Sequence, residues 1–335
     1  MKSKIFLLLL IFNFLINKTI SYDKKRKILF YAFGKKVSIY DAKRKDNLRL
    51  LSEEIIAQDK INSLFHLKDK LYLATKKGIE IWDIKNPYHP FLINSLAFKE
   101  CCNDIKVINS YMYLITKEGN LKIYNIKNIN APYQISNLSI SGFCLGFSIY
   151  KNYCYVALKE EGLKIIDLKD VYNPKKIGYF KDITPILDIY CEDNLVYLAC
   201  GKKGLGIVDV KLKRFPETII NYQIEGYSLA LYYEKPYIYL ATDMGLSVID
   251  VRDPYSPIEI YYYESENYVR DVLINFPYAY LDSEEGLEII KIGKKENILL
   301  SLSTFFYLFI FVLMIIYIIY RIPKIYKDWK EKIKE

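Results

Sequence analysis

Residues 197–210 read YLACGKKGLGIVDV. Gly201, Gly204 and Gly206 stand between two apolar runs, with Lys202 and Lys203 among them. A dinucleotide-binding turn needs G-x-G-x-x-G opening a helix, and a phosphate loop needs a Gly-Lys pair followed by Ser or Thr. Here the order is G-x-x-G-x-G, and the residues that follow, Ile207 to Val210, are rich in β-branched side chains that suit a strand. The stretch therefore joins strand to strand, and its lysines are solvated tips.

The same phrase recurs along the chain: LYLATKKGIEIWDI (71–84), MYLITKEGNLKIYNI (112–126), CYVALKEEGLKIIDL (154–168), IYLATDMGLSVIDV (238–251) and AYLDSEEGLEIIKI (279–292), with a degraded copy, FYAFGKKVSIYDA (30–42). Its anchor tyrosines are Tyr31, Tyr72, Tyr113, Tyr155, Tyr197, Tyr239 and Tyr280, at steps of 41 or 42. Asp41, Asp83, Asn125, Asp167, Asp209 and Asp250 keep the same step, as do Pro90, Pro132, Pro174, Pro216 and Pro257. A period of this length built from short strands predicts a β-propeller. The second unit shows the four strands: INSLFHL, KLYLAT, GIEIWDI and PFLINSLAF, separated by turn residues. Glycine at the KKG, EEG and DMG tips suits a hairpin that needs positive φ, where a Cβ is penalised.

GLKIIDLKDVYNP (162–174), GLGIVDV (204–210) and GLSVIDVRDPYSP (245–257) resemble the LVIVD-repeat family of prokaryotic β-propeller proteins, many of them extracytoplasmic. The resemblance covers residues 28–292. It implies the fold and no shared catalytic motif. The first unit departs from the pattern at the turn glycine, the third carries Asn125 for Asp, and the fifth reads KLKRFP where others read DPYSP. The fold class expected is all-β, a seven-bladed propeller plus one C-terminal transmembrane helix. The first unit begins at its second strand and the last stops after its third, so six blades with an accessory hairpin is the alternative.

Two apolar segments suggest an address. Residues 1–21 open with two lysines, followed by an apolar run from Ile5 to Ile16, and Thr19 and Ser21 stand at the spacing a signal peptidase prefers, which reads as a secretory signal. Residues 298–320 are 23 in a row without a charge. At about 1.5 Å per residue they span a hydrocarbon core of about 30 Å with room for tilt. The tail, 321–335, carries six basic and three acidic residues and belongs on the cytoplasmic side. Between them lies a propeller ectodomain, 22–297. The expected placement is a single-pass protein of the cell membrane with its propeller extracytoplasmic. The run Lys24, Lys25, Arg26, Lys27 opposes export and keeps an internal propeller as the alternative.

The net charge of +9 is concentrated at the ends: three lysines in 1–21 and +3 in the tail leave +3 for residues 22–320. A near-neutral ectodomain lacks the basic footprint of a nucleic-acid binder. None of the six cysteines forms a C-x-x-C. Cys102 and Cys144, 42 apart, fall at one position of neighbouring blades. Outside the cell that invites a disulfide, against the alternative of two buried thiols. Asn137-Leu138-Ser139 is a glycosylation sequon, alternatively a plain surface turn.

Nucleophilic catalysis needs a base beside its nucleophile. The only histidines are His66, read as a packed inner-strand residue, and His89, read as solvated in a Pro-flanked loop. The chain reads as non-enzymatic, with a propeller hydrolase the lesser alternative. Its function class is a binding module for a protein or glycan ligand at the cell surface, or a structural component of the envelope, with no cofactor required. One candidate cation site stands out: Asn62, Asp104, Asp188 and Asp271 recur at the start of inner strands, interrupted by Gly146 and Ala230. Convergent oxygens there could hold Ca²⁺. The alternative is that each carboxylate bonds backbone N–H groups of its own turn or of the next blade.

Overall fold

The computed structural model describes residues 18–293, and all the regular structure there is β-strand. Blade 1 consists of β1 (Ile20–Asp23), β2 (Ile28–Phe33), β3 (Lys36–Asp41) and β4 (Arg49–Ile56), each antiparallel to the next. Blades 2 to 6 repeat this order over residues 61–97, 102–139, 144–180, 188–222 and 228–264. Blade 7 has three strands, Val269–Asn275, Tyr278–Ser283 and Gly286–Lys291. The protein is a seven-bladed propeller. The first blade is not short of a strand: β1 supplies its inner strand, and its first two residues, Ile20 and Ser21, belong to the stretch 1–21 expected to be a leader. Among the described residues no helix is long and apolar enough to cross a membrane. The run 298–320, the tail 321–335 and residues 1–17 of the leader lie outside the described residues.

Burial follows position in the blade. Second strands such as Tyr237–Thr242 are buried along their whole length, because adjacent blades cover both faces, and so they read as continuous apolar runs. Outer strands such as Phe91–Ala97 expose one face and alternate. Blades adhere through apolar clusters, for example Phe30, Ile39 and Ile55 of blade 1 against Leu64, Leu71 and Leu73 of blade 2.

The repeated anchors have local causes. Every third strand that ends in Asp or Asn folds that side chain back onto the backbone two residues on: Asp83 accepts from Lys85 N at 2.8 Å and Asp250 from Arg252 N at 3.0 Å. Asn125 does the same with Lys127 N at 2.9 Å, so its departure from Asp changes no chemistry. The glycine that opens the third strand is needed for two reasons. Gly245 has φ 136°, and a Cβ on it would run into the carbonyl oxygen of Tyr263 on the outer strand. The opening motif is spoken for in the same way: Ser228 of the next blade donates to the carbonyl of Gly204 at 2.8 Å and accepts from Cys200 N at 2.9 Å.

Among the described residues, no strand is shared across the closure of the ring. Ile20, Leu29 and Tyr31 of blade 1 pack on Leu273 and Tyr280 of blade 7. Tyr31 Oη donates to Asp282 Oδ1 at 2.8 Å, and Thr19 Oγ1 donates to Asp282 Oδ2 at 2.8 Å. Since β1 is an inner strand, the chain enters on the face of the Gly tips and leaves, after Lys291, on the face of the Pro loops.

Candidate functional site

Six blades place a residue nine positions before the anchor tyrosine: Ser63, Asp104, Gly146, Asp188, Ala230 and Asp271. In blade 1 the register Ile20↔Tyr31 matches Phe65↔Tyr72, which puts Lys18 in the corresponding place, and Lys18 bridges Ser63 directly. One ammonium and three carboxylates thus share a ring at the mouth of the central channel. A Cβ on Gly146 would lie 3.4 Å from Asp188 Oδ1 and 3.9 Å from Asp104 Oδ2, so these side chains flank the glycine from either side.

Asn62 is not a member of the ring. It sits at a register shift between Ile61 and Ser63, the kind of bulge that recurs at Asn103, Leu145, Leu229 and Arg270. From there Asn62 Nδ2 donates to the Cys102 carbonyl of the next blade at 2.8 Å, as Asn103 Nδ2 donates to those of Cys144 and Leu145 at 2.9 and 2.8 Å. Blades 2 and 3 are 41 apart rather than 42, which makes Ser63 the true counterpart of Asp104. Ser63 Oγ donates to Asp104 Oδ1 at 2.7 Å.

The three carboxylates share one pattern of bonds. Oδ1 accepts from the following residue of its own strand: Ile105 N, Ile189 N and Val272 N, at 2.8, 2.8 and 2.9 Å. Oδ2 reaches the inner strand of the next blade: Asp104 to Phe147 N at 3.4 Å, Asp188 to Leu231 N at 3.0 Å, and Asp271 across the closure to Thr19 N at 2.7 Å and Ile20 N at 3.1 Å. Among the described residues no three of His, Cys, Asp and Glu gather as a metal site. The oxygens that a cation would need are directed at N–H donors and at Lys18.

Lys18 Nζ lies 3.0 Å from Asp188 Oδ1, with its side chain 27 % exposed. Burial would depress its pKa, but Asp188, Asp104 and Asp271 outweigh burial and hold it above that of a free lysine. Burial, opposed by Lys18 and reinforced by Asp282 and Asp188, pushes Asp271 up to about 7. Asp282 is also raised by burial, against Arg270, whose guanidinium lies 2.7 Å away. A second lysine, Lys106, lies nearby with its Nζ 5.5 Å from the Phe147 ring centre, and burial lowers its pKa.

The remaining sequence candidates lie elsewhere. Cys102 and Cys144, the pair expected to invite a disulfide, are free thiols in the structure and lie in different apolar clusters. Cys102 sits with Ile79, Ile81 and Leu114 between blades 2 and 3, and Cys144 with Ile115, Leu121 and Phe147 between blades 3 and 4. Asn137 is exposed on the outer strand Tyr133–Ser139. His66 is half-buried, stacked on Phe30 with ring centres 5.1 Å apart, and its Nε2 lies 2.7 Å from the Lys68 carbonyl and 3.3 Å from Asp23. Burial lowers its pKa. His89 is exposed beside Glu54. Lys18 and Ser63 were missed by sequence reasoning. Ser63 was hidden by the one-residue change of step, and Lys18 by the first turn of blade 1, which makes it stand 13 rather than nine before its tyrosine.

A family model described as the LVIVD repeat matches residues 141–179 and 233–265, within blades 4 and 6. Those two blades carry the LVIVD repeat. No curated protein matches the chain. Solved structures similar to this chain include a functionally unknown protein from Desulfotomaculum acetoxidans, at TM-score 0.67 and 12 % identity, covering 82 % of this chain and 92 % of that one. A chain in a mitotic checkpoint complex gives TM-score 0.70 at 10 % identity over 84 % and 88 %. The computationally designed protein Ika8 gives 0.62 at 10 % over 82 % and 84 %. At these identities the likeness is one of fold.

Proposed function

We propose that this LVIVD propeller is a non-enzymatic binding module, held by one C-terminal helix on the outer side of the cell membrane, whose partner is a protein or glycan. One observation carries the reading: the polar groups at the channel mouth are bonded within the chain, by Lys18 and by N–H groups of adjoining blades, so recognition falls to the rigid loop faces.

The two faces differ in a way that supports an orientation. The Pro-loop face exposes Tyr88, Tyr172, Phe215 and Tyr255, each about half or more exposed, set among basic stretches such as KLKR at 211–214. Aromatic and basic residues together suit a lipid interface. The last strand, Gly286–Lys291, runs towards that face, and the run 298–320 follows within a few residues. The Pro-loop face therefore turns to the bilayer, and the Gly-tip face, with the channel mouth, turns outward to the partner.

The test is purification of the full chain from membranes in mild detergent, followed by identification of bound protein and glycan. A partner lost on substitution of Gly-tip residues such as Lys203 supports the reading. A partner that survives there and is lost on substitution of Phe215 and Tyr255 overturns the orientation. A chain that carries no partner and is released by alkaline carbonate overturns the anchored binding module.

A further inference from the structure

We propose that Lys18 is the resident cation of the channel mouth, and that the mature chain keeps it: any leader is removed by hydrolysis of a peptide bond N-terminal to Lys18. The second half of this proposal rests on the reading of a secretory leader. The first half stands on the channel alone.

Residues 18–21 are parts of the folded ring. The Lys18 carbonyl accepts from Leu64 N of blade 2 at 2.9 Å, and the Thr19 carbonyl accepts from Ala32 N at 2.8 Å. Thr19 N and Ile20 N donate to Asp271, Thr19 Oγ1 donates to Asp282, and Ser21 pairs with Phe30 in the β1–β2 ladder. The small residues that imitate a cleavage site, Thr19 and Ser21, have these structural tasks instead. Cleavage after Ser21 would remove half of β1. It would also take Lys18 from Asp188, the Thr19 and Ile20 N–H donors from Asp271, and the Thr19 hydroxyl from Asp282, all three of them buried carboxyl groups. Removing partners from buried charges is strongly destabilising.

The position explains why a lysine is there. Three carboxylates at one level of a narrow channel repel one another, and one flexible ammonium among them offsets part of that repulsion. A metal ion is not needed to do so. Hydrolysis upstream of residue 18 adds water across one bond, leaving a carboxylate on the leader and a free amine on the mature chain, with Lys18 at or near its start.

Intact mass and N-terminal sequencing of the full-length protein recovered from its native membrane test the boundary. A first residue at Lys18 or upstream, short of Met1, is expected. A first residue at Thr19 or beyond overturns the proposal. A chain that still begins at Met1 overturns the leader reading and, with it, the processing half. The channel half is then decided by variants of the full chain: Lys18→Met should lower the melting temperature by about 5 °C or more, and Lys18→Arg should recover most of that loss. Equal melting of Lys18→Met and the parent overturns it. Should Lys18→Met fail to fold, recovery of folded protein with Lys18→Arg supports the charge, and failure of both variants overturns it.

Discussion

Asp271 is the residue whose chemistry is most altered by the fold. Burial raises it to about 7, which means that near neutral pH the folded chain holds a proton there that the unfolded chain has lost. A carboxyl raised in this way contributes stability that is full below its unfolded pKa, about 3.9, and is lost as pH rises through the folded value. Relative to Asp271→Asn, which cannot ionise, the parent should therefore gain several degrees of melting temperature as pH falls from 8 to 5. Melting curves of the two proteins at matched pH check this, and parallel curves would contradict it. Gly245 makes a different point at the same scale. Its positive φ and the facing Tyr263 carbonyl both exclude a side chain, so Gly245→Ala should cost more than about 1 kcal/mol in denaturant unfolding.

At the scale of the element, the turn after each third strand is a side-chain device. Asp209 accepts from Lys211 N at 2.6 Å, and Asn125 shows that an amide oxygen does as well. Asp209→Ala should lose about 0.5–1.5 kcal/mol, while Asp209→Asn should stay close to the parent in the same urea titration. The closing seam depends on side chains because, among the described residues, no strand crosses it. Tyr31→Phe leaves the buried Asp282 with one donor fewer and should cost about 1.5–3 kcal/mol, the range for a hydrogen bond to a charged group. The seam also explains why β1 was invisible at first reading. ISYD is four residues long, adjoins the apolar run, and is followed by a turn with extra residues, so neither periodicity nor spacing marks it as a strand.

For the whole molecule, the proposed topology makes a direct expectation. Protease added to intact cells should digest the propeller and spare the tail, and full protection would contradict an extracytoplasmic placement. In the same membranes a cysteine placed at Lys203, on the Gly-tip face, should label faster than one placed at His89, on the Pro-loop face. Equal rates would contradict the orientation. Calcium and chelator should leave the melting temperature of the full chain unchanged, because Lys18 already occupies the ring of carboxylates.

What the sequence determined by itself was the repeat and everything that repeats with it. Tyr, Gly, Asp and Pro recur in phase because each blade needs the same packed strand, tight tip and capped turn, and these are local demands that any single copy states. The carboxylates at the channel were legible for the same reason. Only the tertiary structure decided what they bond to. Their partners are backbone N–H groups of the next blade, a serine one residue out of step, and a lysine more than 80 residues away from the nearest of them in the chain. Closing a ring brings the first residues of the fold beside the last, and that juxtaposition depends on the full circuit of blades, which no local pattern records.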